Sequence, residues 1–303
     1  MSSNPYLERA ITVVEEHIKA PLPTKSVSTP LRPDYHPELD ATSFLEDDAA
    51  HYYLSLIGTL QWLSELGRID ICHAVGVMSR YNALPRQGHL DAVIRIFAYL
   101  KHHKNSKLVF DTCQRDFPES SFIQHDWTEM YPDATEDIPE RYPVPLGNSA
   151  QINVFVDAAH ADDLMTRRST TGILIFVNGT PIRWYSKRQN TVETSTYGSE
   201  FVAMRIAAEM TISLRTELRL LGIPIVGPTN VFCDNQSVVI QTTIPSSVLK
   251  KKHNSIAYHK VRECVAAKIL RIAKEPTESN LADILTKPLP GPRFKFLLNH
   301  ILF

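Results

Sequence analysis

The stretch I-N-V-F-V-D at residues 152–157 determines how the C-terminal half of this 303-residue chain folds. An apolar run leads directly into Asp157, which is the pattern of a short buried strand that ends on a carboxylate. The stretch V-F-C-D at 231–234 repeats this pattern and ends on Asp234. Ligands of open α/β sheets bind outside the carboxyl ends of the parallel strands. We therefore expect Asp157 and Asp234 to project from neighbouring strands into one crevice.

Strand-like and helical segments alternate around these two strands. Their order, β-β-β-α-β-α followed by α-β-α, predicts an α/β domain with a mixed sheet over residues 151–303. Gly222 and Pro224 close the long helix of this domain. Besides the two strands above, the predicted segments are strands at 170–177, 182–186 and 270–273, and helices at 199–221, 236–243, 253–268 and 280–287.

Residues 1–110 are predicted to form a small helical unit, separate from the sheet domain. Residues 4–20 and 51–100 have apolar positions at helical spacing, and a proline-rich strap at 21–37 lies between them. Residues 111–150 contain nine acidic residues, five prolines and two arginines. That composition predicts an acidic linker or insertion that packs poorly and has no core of its own.

Charge and cysteine content limit the class of protein. A formal net charge of −1 argues against indiscriminate coating of nucleic acid, although a local basic groove is compatible with it. The four cysteines are widely spaced, which favours reduced thiols over a zinc site or a disulfide framework. Without a signal peptide or a long apolar run, we expect a soluble cytoplasmic or nuclear protein with no membrane partner. The oligomeric state is left open.

Two further acids complete a candidate metal centre. Glu200 falls in the first turn of the long predicted helix, and Asp283 begins the last one. Four converging carboxylates would repel one another unless they bound divalent cations, and oxygen ligands favour Mg²⁺ or Mn²⁺ over zinc. Two such ions about 4 Å apart serve phosphodiester hydrolysis. Each acid taken singly is also compatible with a solvated carboxylate, and Glu200 with a favourable helix dipole.

The sequence around these acids resembles the ribonuclease H of copia-type retrotransposons. The most specific match is E-P-T-E-S-N-L-A-D-I-L-T-K-P-L at 275–289. The other matching motifs, in family order, are F-V-D-A-A-H-A-D-D (155–163), R-R-S-T-T-G (167–172), W-Y-S-K-R-Q (184–189), S-T-Y-G-S-E-F-V-A (195–203) and C-D-N-Q-S (233–237).

Segments upstream resemble the region that follows the polymerase palm. They are S-V-S-T-P-L (26–31), Y-L-S-L-I-G-T-L (53–60), R-I-D-I (68–71) and A-Y-L-K (98–101). The Tyr-x-Asp-Asp motif that polymerase chemistry needs is absent from the sequence. The pairs Asp47–Asp48 and Asp162–Asp163 are interpreted as solvated turns. The resemblance thus implies a thumb and connection remnant whose partner is the missing palm of a longer polyprotein.

The resemblance implies a fold, an activity and a site. The fold is a ribonuclease H-like mixed five-stranded sheet with flanking helices, preceded by the helical unit. The activity is hydrolysis of the RNA strand of RNA/DNA hybrids, leaving 5′-phosphate and 3′-hydroxyl ends, with two Mg²⁺ ions (or Mn²⁺) as cofactors. The residues that would hold the metals and act in catalysis are Asp157, Glu200, Asp234 and Asp283.

Two groups of residues are candidates for contacting the hybrid. The amides of Asn235 and Gln236 could reach base or ribose edges in a minor groove, or simply cap a helix. The basic residues at 250–274 could form a phosphate track, or a solvated face. The candidates within this run are Lys250, Lys251, Lys252 and His253.

Three departures from the family pattern leave other functions open. Ala159 and His160 stand where the family usually has Asp and Trp, Gly198 replaces a common Glu, and Ser255 replaces an acid. All four candidate ligands are retained. The alternatives are a catalytically inert retroelement fragment that binds nucleic acid at most, and a related metal-dependent nuclease that acts on DNA.

Overall fold

The computed structural model describes residues 4–23, 27–225, 227–249 and 254–303. One mixed sheet has the strand order β3-β2-β1-β4-β5. Its strands are β1 (Ile152–Ala159), β2 (Thr170–Val177), β3 (Thr180–Arg188), β4 (Thr229–Cys233) and β5 (Leu270–Lys274). β1 runs antiparallel to β2 and parallel to β4, and β4 runs parallel to β5. This confirms the predicted ribonuclease H-like sheet of five strands.

Helices precede the sheet and flank it. They are α1 (Asn4–Ile18), α2 (Asp47–Glu65), α3 (Cys72–Met78), α4 (Gln87–His102), α5 (Thr196–Leu220), α6 (Gln236–Thr243), α7 (Ser255–Ala266) and α8 (Gly291–Leu298). α5 begins three residues before its predicted start because the Ser195 side chain accepts a hydrogen bond from the Gly198 amide and caps it. None of the helices in the described ranges is both long and apolar enough to cross a membrane.

The side chains of the central strands alternate between two apolar cores. Val154 and Val156 pack into a core that contains residues of α5 and α7. Phe155, between them in the chain, points to the opposite core together with Phe232 of β4. This alternation follows from the two-residue period of a strand.

The N-terminal helices share an apolar core with one face of the sheet. Buried residues of α1–α4 and α8 belong to the same core as Phe155 and Phe232. A contact at the surface of this core joins His73 of α3 to Ser186 of β3, with 3.4 Å between Nδ1 and Oγ. Central strands that are apolar on both faces need cover on both. α1–α4 supply the second cover, and the domain boundary near residue 110 stays a prediction.

The 111–150 segment contacts the sheet domain through a few apolar side chains, and its interpretation as a linker or insertion stays a prediction. The rings of Phe117 and Phe122 lie with centroids 4.5 and 5.7 Å from that of Phe232. Trp127 is buried, and the Arg262 guanidinium lies 4.8 Å from its ring centroid. Apolar side chains scattered among the acids therefore anchor the segment.

The acids of this segment pair with arginines of the sheet domain. Glu136 accepts hydrogen bonds from both Arg215 and Arg219 of α5. Burial would raise the pKa of Glu136, but the two guanidinium groups outweigh it and lower the pKa to about 2. Glu119 pairs in the same way with Arg271 of β5, at 2.5 Å. The negative composition that predicted a loose linker thus serves to hold the segment in place.

Candidate active site

The register of β1 and β4 brings the first two acids together. Val156 is paired with Cys233, so the next residues, Asp157 and Asp234, emerge at the same edge of the sheet. Asp157 does not end its strand, however. β1 continues two residues further because its antiparallel pairing with β2 runs on, with Asp157 opposite Gly172. Asp157 is therefore buried, with 3% of its surface exposed.

Glu200 approaches this edge from α5, as the fifth residue of the helix and not in its first turn. Burial, reinforced by the charges of Asp157 and Asp234, raises the pKa of Glu200 well above its ordinary value. A hydrogen bond to the backbone of Ala158 opposes this rise. The Oε2 atom has no hydrogen-bond partner among the described residues. A buried carboxylate oxygen in this state is suited to a cation.

Asp283 is carried by a 3₁₀ turn, Leu281–Leu285. Asn280, fully buried, fastens this turn to β1. Its Nδ2 donates to the carbonyl of Val156 at 3.0 Å, and its Oδ1 accepts from the amide of Ala282 at 3.2 Å. One side chain thus starts the turn and ties it to the end of the parallel ladder, which sets Asp283 beside Asp157.

Gly172 of β2 makes the close approach of this turn feasible. A Cβ atom at residue 172 would lie 2.5 Å from Cγ2 of Thr286 and 2.8 Å from the carbonyl oxygen of Ala282. The second neighbour is backbone and cannot move aside alone. The glycine in the motif R-R-S-T-T-G is therefore a packing requirement of the site.

Cations of the chain neutralise the Asp157–Asp283 pair. Lys287 Nζ lies 2.8 Å from Asp283 Oδ1 and 3.7 Å from Asp157 Oδ2. Arg293 donates to Asp283, and the Thr286 hydroxyl donates to Asp157. Burial and the charge of Asp157 still raise the pKa of Asp283 to about 7. Burial would lower the pKa of Lys287, but the two aspartates outweigh it and raise the pKa.

The Glu200–Asp234 pair has a different environment. Burial and the charge of Asp157 raise the pKa of Asp234. Lys274 Nζ lies nearby, but it donates to the backbone carbonyl of Asp234, at 2.8 Å. Each of Glu200, Cys233 and Asp234 offers a ligand atom within 4.8 Å of the others. The unpartnered Oε2 and the raised pKa values fit a divalent cation, and the carboxylate oxygens fit Mg²⁺.

The four predicted acids thus form one cluster of charge centred on Asp157. The sequence reasoning missed the residues that position and neutralise it. These are Asn280, Thr286, Lys287 and Arg293. A signal was available for Lys287, since an acid and a base four residues apart in a helical segment face one another.

Of the residues predicted to contact nucleic acid, the structure describes Asn235 and Gln236. Asn235 caps α6, with its Oδ1 accepting from the amides of Ser237 and Val238 at 3.0 and 3.3 Å. Gln236 follows it and is exposed. Lys250, Lys251, Lys252 and His253 lie outside the described residues.

Two arginines of the basic run do not belong to a phosphate track. Arg262 is fully buried and donates to the carbonyls of Gln241, Ile244 and Pro245. Arg271 is paired with Glu119. The number of basic residues in the run therefore overestimates the positive charge available on the surface, because both guanidinium groups are bonded to other parts of the chain.

The two Asp-Asp pairs have different environments. Asp47 and Asp48 are exposed in the first turn of α2, as predicted. Asp163 is buried and pairs with Arg188 at 2.5 Å, and Asp162 accepts from the Thr170 hydroxyl at 2.8 Å. The prediction of a solvated turn was wrong for this second pair.

The departure from the family pattern at Gly198 has a local explanation. A Cβ at this position would lie 2.5 Å from Oε2 of Glu193. Glu193, from the loop before α5, is itself buried. Its carboxylate fills the space that a side chain at residue 198 would enter.

Comparison with known proteins identifies relatives of most of the chain. It is 30% identical over 243 residues to the retrovirus-related Pol polyprotein from transposon TNT 1-94 of Nicotiana tabacum, covering 80% of this chain and 16% of that protein. It is 29% identical over 274 residues to the polyprotein from transposon RE1 of Arabidopsis thaliana, covering 89% of this chain and 16% of that protein. The chain thus spans about a sixth of the length of these curated relatives. No protein-family model matches it.

Solved structures similar to this chain include ribonuclease H domains. The N-terminal RNase H domain of a Mycobacterium tuberculosis protein is 13% identical, with a TM-score of 0.35, and the match covers 50% of this chain and 98% of that one. LC11-RNase H1 in complex with an RNA/DNA hybrid is 19% identical, with a TM-score of 0.36, covering 45% and 94%. The strand order and register described above, and not these scores, define the fold.

Proposed function

The homologues of this chain are copia-type Pol polyproteins from plant transposons, and from that premise we propose that it hydrolyses the RNA strand of RNA/DNA hybrids. A ribonuclease H-like fold within such a polyprotein supports a hydrolase that acts on nucleic acid. The observation that carries the proposal is the acid cluster around Asp157, in which Glu200 keeps a buried oxygen without a partner among the described residues.

Two Mg²⁺ ions, or Mn²⁺, would be held by Asp157, Glu200, Asp234 and Asp283, and when bound they supply Lewis-acid stabilisation of the charge that develops in phosphodiester hydrolysis. The chain itself fixes the positions of the carboxylates. Thr286 orients Asp157, and Asn280 ties the turn of Asp283 to the sheet. Outer contacts of this kind preorganise a site before substrate arrives.

Lys287 and Lys274 place positive charge beside the carboxylates. A phosphate group that entered the crevice would meet both charges, which favours binding of the anionic backbone. Along the hybrid we propose contacts from Asn235 and Gln236 to a minor groove and from Lys250, Lys251, Lys252 and His253 to phosphates. The polymerase palm, missing from this chain, is the proposed partner within a longer polyprotein.

A cleavage assay tests the proposal. The full chain is incubated with an end-labelled RNA/DNA hybrid, in Mg²⁺ and in chelator, with an all-DNA duplex of the same sequence as control. We expect cleavage of the RNA strand alone, and only in Mg²⁺. Cleavage of the all-DNA duplex would instead favour the DNA nuclease. Binding of the hybrid without cleavage in Mg²⁺ or Mn²⁺ would favour the inert fragment.

A further inference from the structure

We propose that Cys233 adds a sulfur ligand to Glu200 and Asp234, so that this side of the acid cluster captures thiophilic divalent ions such as Zn²⁺ and Cd²⁺. Binding of these ions does not depend on catalytic activity. The further expectation that they inhibit cleavage rests on the proposed function.

The geometry brings the three ligands within reach of one ion. One ligand atom of each of Glu200, Cys233 and Asp234 lies within 4.8 Å of the other two. Cys233 ends β4 on the face that packs against α5, the helix that carries Glu200. Bonds from Zn²⁺ to sulfur and to carboxylate oxygen are about 2.3 and 2.0 Å long, so ligands of one ion sit roughly 3 to 4 Å apart. Small side-chain adjustments therefore suffice.

An independent observation points to a ligand at this position. Oε2 of Glu200 is buried, and it has no hydrogen-bond partner among the described residues although only 3% of the residue is exposed. Leaving a buried polar group unsatisfied costs on the order of 1–3 kcal/mol, and more when the group is charged. A cation bound there would remove this penalty.

The thiol becomes a ligand only when the ion is present. Cys233 is fully buried, and a buried thiolate needs a cation beside it. A divalent ion supplies the positive charge that stabilises a thiolate. Binding forms one metal–sulfur bond and releases the thiol proton to solvent.

Ligand chemistry makes this a selective site. Mg²⁺ takes oxygen ligands and gains nothing from sulfur, whereas Zn²⁺ and Cd²⁺ gain a strong third bond. The Asp157–Asp283 side of the cluster attracts a cation less strongly, because Lys287 and Arg293 already neutralise Asp283. Thiophilic ions should therefore occupy the side of Glu200 and Asp234 and displace Mg²⁺ from it.

A cadmium titration of the full chain without nucleic acid tests the proposal. The ultraviolet charge-transfer absorption of a cadmium–thiolate bond is followed in wild type, Cys233→Ser and Cys264→Ser. Cys264 is the matched control, since it is also buried in the core that contains α5. The exposed Cys113 is present in all three proteins and cancels in the comparison. We expect the band at one equivalent in wild type and Cys264→Ser, and its loss in Cys233→Ser.

The carboxylate variants Glu200→Gln and Asp234→Asn test whether the Cys233 thiol and the two carboxylates bind the same cadmium ion. We expect each to weaken cadmium binding by at least roughly 10- to 100-fold, since that is the loss caused by removing a residue that only supports a metal ligand. An unchanged band in Cys233→Ser would overturn the proposal, and so would unchanged affinity in both carboxylate variants. If near-ultraviolet circular dichroism showed Cys233→Ser to be misfolded, the carboxylate variants would decide alone.

The two proposals fail separately in this design. A chain that gives the cadmium band but cleaves no hybrid keeps the metal site and loses the nuclease activity. A chain that cleaves hybrid but gives no band keeps the activity and loses the thiophilic site. If both hold, Cd²⁺ should inhibit cleavage by wild type more strongly than cleavage by Cys233→Ser.

Discussion

The two halves of the acid cluster are compensated in different ways. In the first half, Asp157 and Asp283, the chain supplies its own cations, since Lys287 lies 2.8 Å from Asp283 and Arg293 donates to the same carboxylate. In the second half, Glu200 and Asp234, Lys274 donates to a backbone carbonyl, and Lys274 and Lys287 act on the Asp234 carboxylate only through their charge. The chain therefore compensates the first half with direct ion pairs and the second half only from a greater distance.

The two halves therefore relieve the repulsion between their carboxylates in different ways. Converging carboxylates raise one another's pKa values, and the metal-free protein relieves the repulsion by holding protons or by pairing with cations. The first half uses both means, because Lys287 pairs with Asp283 while the pKa of Asp283 is still raised to about 7, and the second half, with its raised pKa values, uses protons. Metal binding should then release protons from Asp283 as well as from the second half.

The largest expected effect is on cleavage by Asp234→Asn. Metal binding needs the full negative charge, and an amide supplies only a neutral oxygen, so we expect activity to fall by at least roughly 10³-fold. Removing a like charge should leave the fold and hybrid binding intact. Asp47→Asn, at an exposed helix start, is the matched control and should retain full activity. Substantial cleavage by Asp234→Asn would show that the second half does not hold a metal needed for cleavage.

Gly172→Ala tests whether the first half depends on close packing. The added Cβ would meet the Ala282 carbonyl oxygen at 2.8 Å and push the turn away from Asp157, so we expect a loss of about 1–3 kcal/mol in the free energy of unfolding. Gly58→Ala is the control, because it has open space in α2 and should stabilise by about 0.5–1 kcal/mol. Urea unfolding measures both. Equal effects in the two variants would contradict this account of the turn.

The pH dependence of the metal-free protein follows from the raised pKa of Asp283. A carboxyl group with a folded pKa of about 7 holds its proton more tightly in the folded chain than in the unfolded one. Its contribution to stability is therefore complete below about pH 4 and is lost as the pH rises through 7. We expect Asp283→Asn to flatten this fall, and Mg²⁺ to stabilise wild type most above pH 7. Thermal melting across pH, with and without Mg²⁺, measures both effects; a fall of the same size in Asp283→Asn would assign it to other groups.

The smallest effect is expected for Lys287→Met. With 38% of its side chain exposed, Lys287 should contribute only about 1 kcal/mol to the metal-free protein. Its removal leaves Arg293 as the remaining cation paired with the first half, so Mg²⁺ should raise the melting temperature of the variant more than that of wild type. Lys104→Met is the control, since Lys104 pairs with Glu8 of α1 and not with an acid of the cluster. An equal Mg²⁺ response in wild type and Lys287→Met would show that the two halves do not differ.

Local sequence patterns predict most of the strands and helices and the faces they present. Apolar runs that end on Asp157 and Asp234 predict two buried strands, and the parallel register that pairs Val156 with Cys233 places those acids together. The helix α6 has the bounds its pattern predicts, and the motif resemblance identified Glu200 and Asp283. These inferences succeed because the period of side chains along a strand or helix is a local property of the chain.

Which elements cover one another, and which charges are compensated, became visible only in the folded protein. Glu136 pairs with Arg215 across 79 residues of chain, and α1–α4 cover a sheet face that the sequence left without a partner. The packing of α8 likewise placed Arg293 against Asp283, whereas Oε2 of Glu200 has no hydrogen-bond partner among the described residues. Contacts between segments distant in sequence depend on shape and charge in three dimensions, and no local period encodes them.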